Sequence, residues 1–154
     1  MDIQIKQATV DDIEILIKWR IEVLHEVFSI PENQPTERLE TENRIYYERA
    51  LRTGEHIACF ACVDNQIVGC GGICFYQEMP SPDNPDGRCA YLMNIYTRPE
   101  ARKQGIGKTI INWLVSRATD LEISKIYLET SKAGKSLYTK MGFAPMPDMM
   151  KYFG

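Results

Sequence analysis

Apolar Ile3 and Ile5 alternate with polar neighbours and are followed by Ala8 and Thr9, a pattern that predicts a short first strand. The Thr9 hydroxyl stands where it can cap a helix, and Asp11 and Asp12 put negative charge at that helix's positive end. Ile13, Leu16, Ile17, Leu24 and Val27 then recur near helical spacing, so the first helix is expected to reach about Phe28. Pro31 and Pro35 bracket a break, a more polar helix follows from about Glu37 to Arg52, and Gly54 stops it.

From Glu55 onward the period changes. HIACFACV and QIVGCGGICFY are apolar runs of strand length separated by Asp64-Asn65, which reads as a hairpin of strands two and three. MPSPDNPDG packs three prolines and a glycine into nine residues and is expected to be an ordered loop. A strand from Cys89 to Thr97, a helix from about Gln104 to Leu121, a strand from Lys125 to Thr130 and a short helix to Met141 follow, with Gly142 closing the last helix before a final strand. The order predicts an α/β domain with antiparallel early strands and one strand-helix-strand crossover in its second half.

Composition narrows what such a domain does. With 154 residues, 44% of them hydrophobic, the chain can fill one core but not two, so residues 1–154 are expected to form a single domain. A net charge of -3 gives no general attraction to nucleic acid or anionic lipid. The N-terminal segment lacks a basic stretch followed by an apolar one, and no run suits a membrane span, so a cytoplasmic location is expected. The five cysteines, an odd number clustered between Cys59 and Cys89, do not form a spaced disulfide set. On one strand Cys59 and Cys62 point to opposite faces, while Cys70 and Cys74 share a face at roughly 13 Å, at about 3.3 Å per residue, so neither pair chelates and no metal is expected.

The chemistry is concentrated between the strand AYLMNIYT and the amphipathic helix carrying Ile106, Ile110, Leu114 and Leu121. Arg102-Lys103-Gln104-Gly105-Ile106-Gly107-Lys108 forms a turn and a helix start, where amides lacking internal acceptors and the positive dipole end suit a pyrophosphate. Gly105 and Gly107 let it approach the backbone, and Arg102 and Lys103 add charge. Gly107-Lys108-Thr109 is not a Walker A loop, because Arg102 stands where that loop needs its first glycine. Ile110 and Cys74 likewise occupy the third glycine positions of the two possible dinucleotide fingerprints.

Arg102-x-x-Gly105-x-Gly107 after a strand ending IYTRPEA resembles motif A of the GNAT superfamily of N-acetyltransferases. Leu128-Glu129-Thr130-Ser131, Gly134 and Leu137-Tyr138-x-Lys140-x-Gly142-Phe143 are similar to that family's motif B, and IKQATVDDIEIL resembles its opening. The resemblance implies a mixed sheet of six to seven strands flanked by about four helices and splayed between strands 4 and 5. It also implies acetyl-CoA as cosubstrate, held by Ile95, Tyr96, Thr97, Arg102, Lys103, Gln104, Gly105, Ile106, Gly107, Lys108, Ser131 and Tyr138. Many members have Asn and Ala where this chain has Ser131 and Gly134.

The implied reaction is direct transfer of an acetyl group to a primary amine of a small molecule or peptide. Backbone groups at Ile95, Tyr96 and Thr97 would hold the pantetheine arm and meet the developing oxyanion, and Tyr138 matches the general acid for the leaving sulfur. No carboxylate stands at Tyr91 or Asn94, which leaves His25, Glu26 and Glu129 as candidates for the base. A GNAT-fold sensor that binds acyl-CoA without turnover is the competing reading. The apolar tail Met146, Met149, Met150, Tyr152 and Phe153 is expected to be a core strand or the interface of a homodimer.

Overall fold

The computed structural model describes all 154 residues. Strand β1 spans Gln4–Gln7, followed by a 3-10 turn at Val10–Asp12 and helix α1 at Ile13–Val27. The Thr9 hydroxyl accepts from the Asp11 amide and the Asp12 carboxylate accepts from the Thr9 amide at 2.8 Å, so Thr9 caps the 3-10 turn rather than α1, whose N-cap Asp12 makes no side-chain capping bond. Helix α2 covers Glu37–Thr53, and strands β2 (His56–Val63) and β3 (Gln66–Gln77) form the hairpin. Strand β4 (Arg88–Thr97), helix α3 (Ile106–Asp120) and strand β5 (Lys125–Leu128) make the crossover, and helix α4 (Lys132–Lys140) completes the set.

The sheet runs β1-β2-β3-β4-β5, antiparallel except for the parallel β4–β5 pair that α3 connects. Alternation along the strands divides the core in two. Ala58, Phe60, Cys62 and Cys70 face Leu16, Trp19, Val23 and Tyr47 of α1 and α2. Cys59, Ala61, Ile73, Ala90 and Leu92 face Ile106, Ile110, Ile111 and Leu114 of α3. Cys59 and Cys62 thus lie on opposite faces, and no three His, Cys, Asp or Glu side chains gather as a metal would need. Helix α3 lies close on β3 because Gly71 has no side chain: a Cβ there would stand 2.6 Å from Ile110 Cγ2.

The sheet has five strands, not six or seven. After Gly142 the chain forms no strand, because Pro145 and Pro147 remove two backbone donors from a short segment. Met149, Met150, Tyr152 and Phe153 are exposed, which also overturns the expectation of a core strand there. The outer edge of β5 therefore remains unpaired. No helix is long and apolar enough to cross a membrane.

Candidate active site

Two irregularities in β4 position the site. Cys70 pairs with Tyr96 and Gly72 with Met93, so Asn94 and Ile95 together oppose Gly71 in a β-bulge, and Asn94 takes φ +57°. Its side chain holds that conformation in place, with Oδ1 accepting from Arg20 Nη1 at 2.9 Å while Arg20 Nε donates to Asn43 Oδ1 at 3.3 Å. Pairing of β4 with β5 ends at Leu92–Leu128, so the last five residues of β4 have no neighbour on that side. Backbone groups of Ile95, Tyr96 and Thr97 therefore have no strand beside them on the β5 side, where the splay is expected. Tyr96 itself is buried edge-on against Trp19, with ring centroids 6.2 Å apart.

The chain leaves β4 through a 3-10 turn at Pro99–Ala101 and enters α3 at Gly105, whose φ of +81° disfavours a side chain. The first return bond of α3 runs from the Thr109 amide to the Gly105 carbonyl (3.0 Å), leaving the amides from Gly105 to Lys108 without helical acceptors. Nothing lies within 4 Å of where a Gly105 Cβ would be, and the corresponding point on Gly107 meets only Thr97 Oγ1 at 3.9 Å and Leu137 Cδ2 at 4.0 Å. The amide-lined turn therefore faces open space beside the end of β4 and the middle of α4. Lys103, Gln104 and Lys108 are exposed around it, while the Ile106 side chain is buried and contributes only its backbone.

Arg102 departs from expectation. Its Nη2 donates to both Glu26 carboxylate oxygens (2.9 and 2.7 Å) and its Nε to the Thr97 carbonyl (2.9 Å). The guanidinium braces the turn against α1 and β4 rather than standing free for an anion. A parallel brace joins Arg98 to Glu22 (3.1 and 3.0 Å), with the Arg98 guanidinium 4.2 Å above the Trp19 ring.

Tyr138 is half-buried on α4, edge-on to Phe143 at 5.8 Å, and its phenol, protonated at neutral pH, is pushed further up by burial. Ser131 caps α4, its Oγ accepting from the Gly134 amide at 3.3 Å, so this hydroxyl is committed to the helix. An alanine at Gly134 would bring a Cβ within 2.6 Å of Thr130 Oγ1 and 3.2 Å of the Tyr138 ring, a physical reason for glycine here. A groove of about 890 Å³ lies away from the turn. It follows the open edge of β5, and Tyr138, Ser131 and Glu129 line it with Tyr127 and the tail methionines.

The three base candidates separate. His25 ends α1 with Nδ1 2.8 Å from the Ile30 carbonyl, a local capping role. Glu26 is held by Arg102. Glu129 is exposed, directly follows the last β4–β5 rung and is in no ion pair closer than 4.0 Å. Sequence reading missed the Arg20–Asn43–Asn94 network, although an asparagine inside an otherwise apolar strand was a signal, since Asn tolerates positive φ. It also missed His56, buried under α2 with the Tyr46 hydroxyl 2.8 Å from its Nδ1, for which no motif offered a clue.

Residues 22–143 match the family model described as "Acetyltransferase (GNAT) family". A predicted acetyltransferase from Clostridium acetobutylicum, determined with acetyl-CoA, superimposes with a TM-score of 0.88 at 28% identity, covering 99% of this chain and 96% of that one. A GCN5-related N-acetyltransferase from Ralstonia eutropha JMP134 shares the fold with a TM-score of 0.82 at 20% identity, over 99% of both chains. The probable acyltransferase SID5 of Ajellomyces capsulatus is 40% identical over 53 residues, 34% of this chain and 38% of that protein.

Proposed function

Because the chain belongs to the GNAT acetyltransferase family, we propose that it transfers an acetyl group from acetyl-CoA to a primary amine of a small molecule or peptide, by direct attack in a ternary complex. The observation that carries this reading is the turn from Gly105 to Lys108, whose unbonded amides open next to the unpaired end of β4 and beside α4. Amides and Lys103 would hold the pyrophosphate, and the open edge of β4 would hold the pantetheine arm.

The chemistry then divides into three tasks. A backbone amide of the open β4 edge stabilises negative charge developing on the thioester oxygen. Tyr138, a phenol protonated at neutral pH and pushed further up by burial, donates to the departing sulfur. A base must relieve the amine of a proton, since an alkylamine is mostly ammonium at neutral pH. The reading places the enzyme in the cytoplasm, where its five free cysteines stay reduced.

Release of CoA thiol from acetyl-CoA, measured against a panel of amines with mass analysis of the products, tests the proposal. Amine-dependent release with a matching acetylated product is the expected result. Tight acetyl-CoA binding with no thiol release for any amine would refute it in favour of a sensor.

A further inference from the structure

Tyr91 and Tyr127 stand opposite each other in the β4–β5 register, on the α1–α2 side of the sheet. Their rings stack with centroids 5.0 Å apart and planes at 27°, and Tyr76 meets Tyr127 edge-on at 6.4 Å. Both stacked rings are half-buried. Two residues after Tyr127 on the same side comes Glu129, at the point where β4 and β5 part. The carboxylates of Glu14, Glu22, Glu26, Glu55 and Glu78 are each neutralised by Arg44, Arg98, Arg102, Arg49 and Lys125. Glu129 has no such cation. It faces Tyr91, whose phenol is pushed up to about 12 by burial first and by the Glu129 charge next.

We infer that Tyr91, Tyr127 and Glu129 form the acceptor subsite, that it takes an ammonium carried on an aromatic or flat apolar body, and that Glu129 accepts the proton. The inference rests on the transferase reading above. A stacked pair of tyrosines offers a π surface to an aryl group and to a nearby cation. The uncompensated carboxylate at its edge fixes the sign of the ligand's charge. Glu129 and Tyr127 also line the groove along the edge of β5, which Tyr138 borders from α4, while Tyr91 stands on the β4 side of the stacked pair.

The proton balance closes with Glu129 and Tyr138. Glu129 takes one proton from the ammonium, and the neutral nitrogen attacks the thioester carbonyl carbon. The C–N bond forms, the C–S bond breaks, and the sulfur leaves with the Tyr138 proton. The second proton lost from nitrogen restores the Tyr138 phenol, and the one on Glu129 passes to water.

Kinetics with benzylamine, butylamine and aniline test the subsite, because aniline is already neutral at assay pH. The wild-type protein should favour benzylamine over butylamine by about 10-fold in kcat/KM, and Tyr91→Leu should reduce that ratio to about 2. Glu129→Gln should lower kcat/KM for benzylamine by about 10²-fold while leaving aniline within about 3-fold. Equal rates for the two alkylamines, or an equal effect of Glu129→Gln on benzylamine and aniline, would overturn the inference. Calorimetry of benzylammonium with the CoA-bound protein reads the subsite without turnover. Binding weakened about 10-fold in Glu129→Gln with no thiol release from any amine would remove the transferase reading and leave the subsite; binding unchanged in Glu129→Gln would remove the subsite.

Discussion

Replacing Gly107 by Glu separates folding from cofactor binding. A Cβ at Gly107 meets its nearest atoms at 3.9 and 4.0 Å, ordinary contact distances, and the residue is the second of α3 without a positive φ. Removing a helical glycine and adding negative charge at a helix start each favour the fold, by up to about 1 kcal/mol at most. Unfolding stability should hold or rise slightly, with Tm no lower than wild type. A carboxylate about 5 Å from one phosphate charge, at an effective dielectric of about 20, is repelled by about 3 kcal/mol. CoA affinity should therefore fall about 10²-fold, less at high salt. Thermal unfolding followed by calorimetric titration with CoA measures both. The neighbouring Gly105→Glu is the contrast: its φ of +81° adds about 1–2 kcal/mol of backbone strain, so that variant should lose stability as well as affinity. A folded Gly107→Glu protein that binds CoA within about threefold of wild type would refute the location of the pyrophosphate on this turn.

Tyr138→Phe should keep acetyl-CoA affinity and lower kcat by about 10²-fold in an assay where chemistry limits, since the ring still packs on Phe143 but the proton is gone; an unchanged kcat would make Tyr138 a packing residue. Glu26→Gln breaks a pair that is about two-fifths exposed on each side, so it should shift Tm by no more than about 2–4 °C. It should leave kcat intact and tighten CoA binding a few-fold as Arg102 is released, whereas a large fall in kcat would restore Glu26 as the base. Burial lowers the His56 pKa from 6.5 to about 4, below its unfolded value, so the contribution of neutral His56 is complete above about pH 6.5 and is lost as pH falls toward 4. At 1.36 kcal/mol per pH unit the loss is about 3 kcal/mol, visible as a falling urea midpoint, and an imidazole NMR signal for His56 titrating near 6.5 would contradict it.

What the sequence determined by itself was local. The hairpin at Asp64-Asn65 and the glycines of the α3 turn are specified by neighbours within a few residues and are found where the pattern predicts them, while the Thr9 cap falls on a 3-10 turn just before the helix it was expected to start. Alternation likewise sent Cys59 and Cys62 to opposite faces without knowledge of what covers them. The tail shows the limit: its apolar residues suit a core strand, but whether a strand forms depends on a partner edge and on Pro145 and Pro147, and composition alone does not weigh these. The charges show it more sharply. Arg102 and Glu26 are 76 residues apart, as are Arg98 and Glu22, and nothing in a linear pattern reveals that each arginine is already neutralised. Only the packing of α1 against the end of β4 decides that Glu26 is occupied, and only the parting of β4 from β5 after Leu128 leaves Glu129 unpaired beside Tyr91. Ion pairing is a contact property of a few ångströms, so it comes into being when the tertiary structure brings distant residues together.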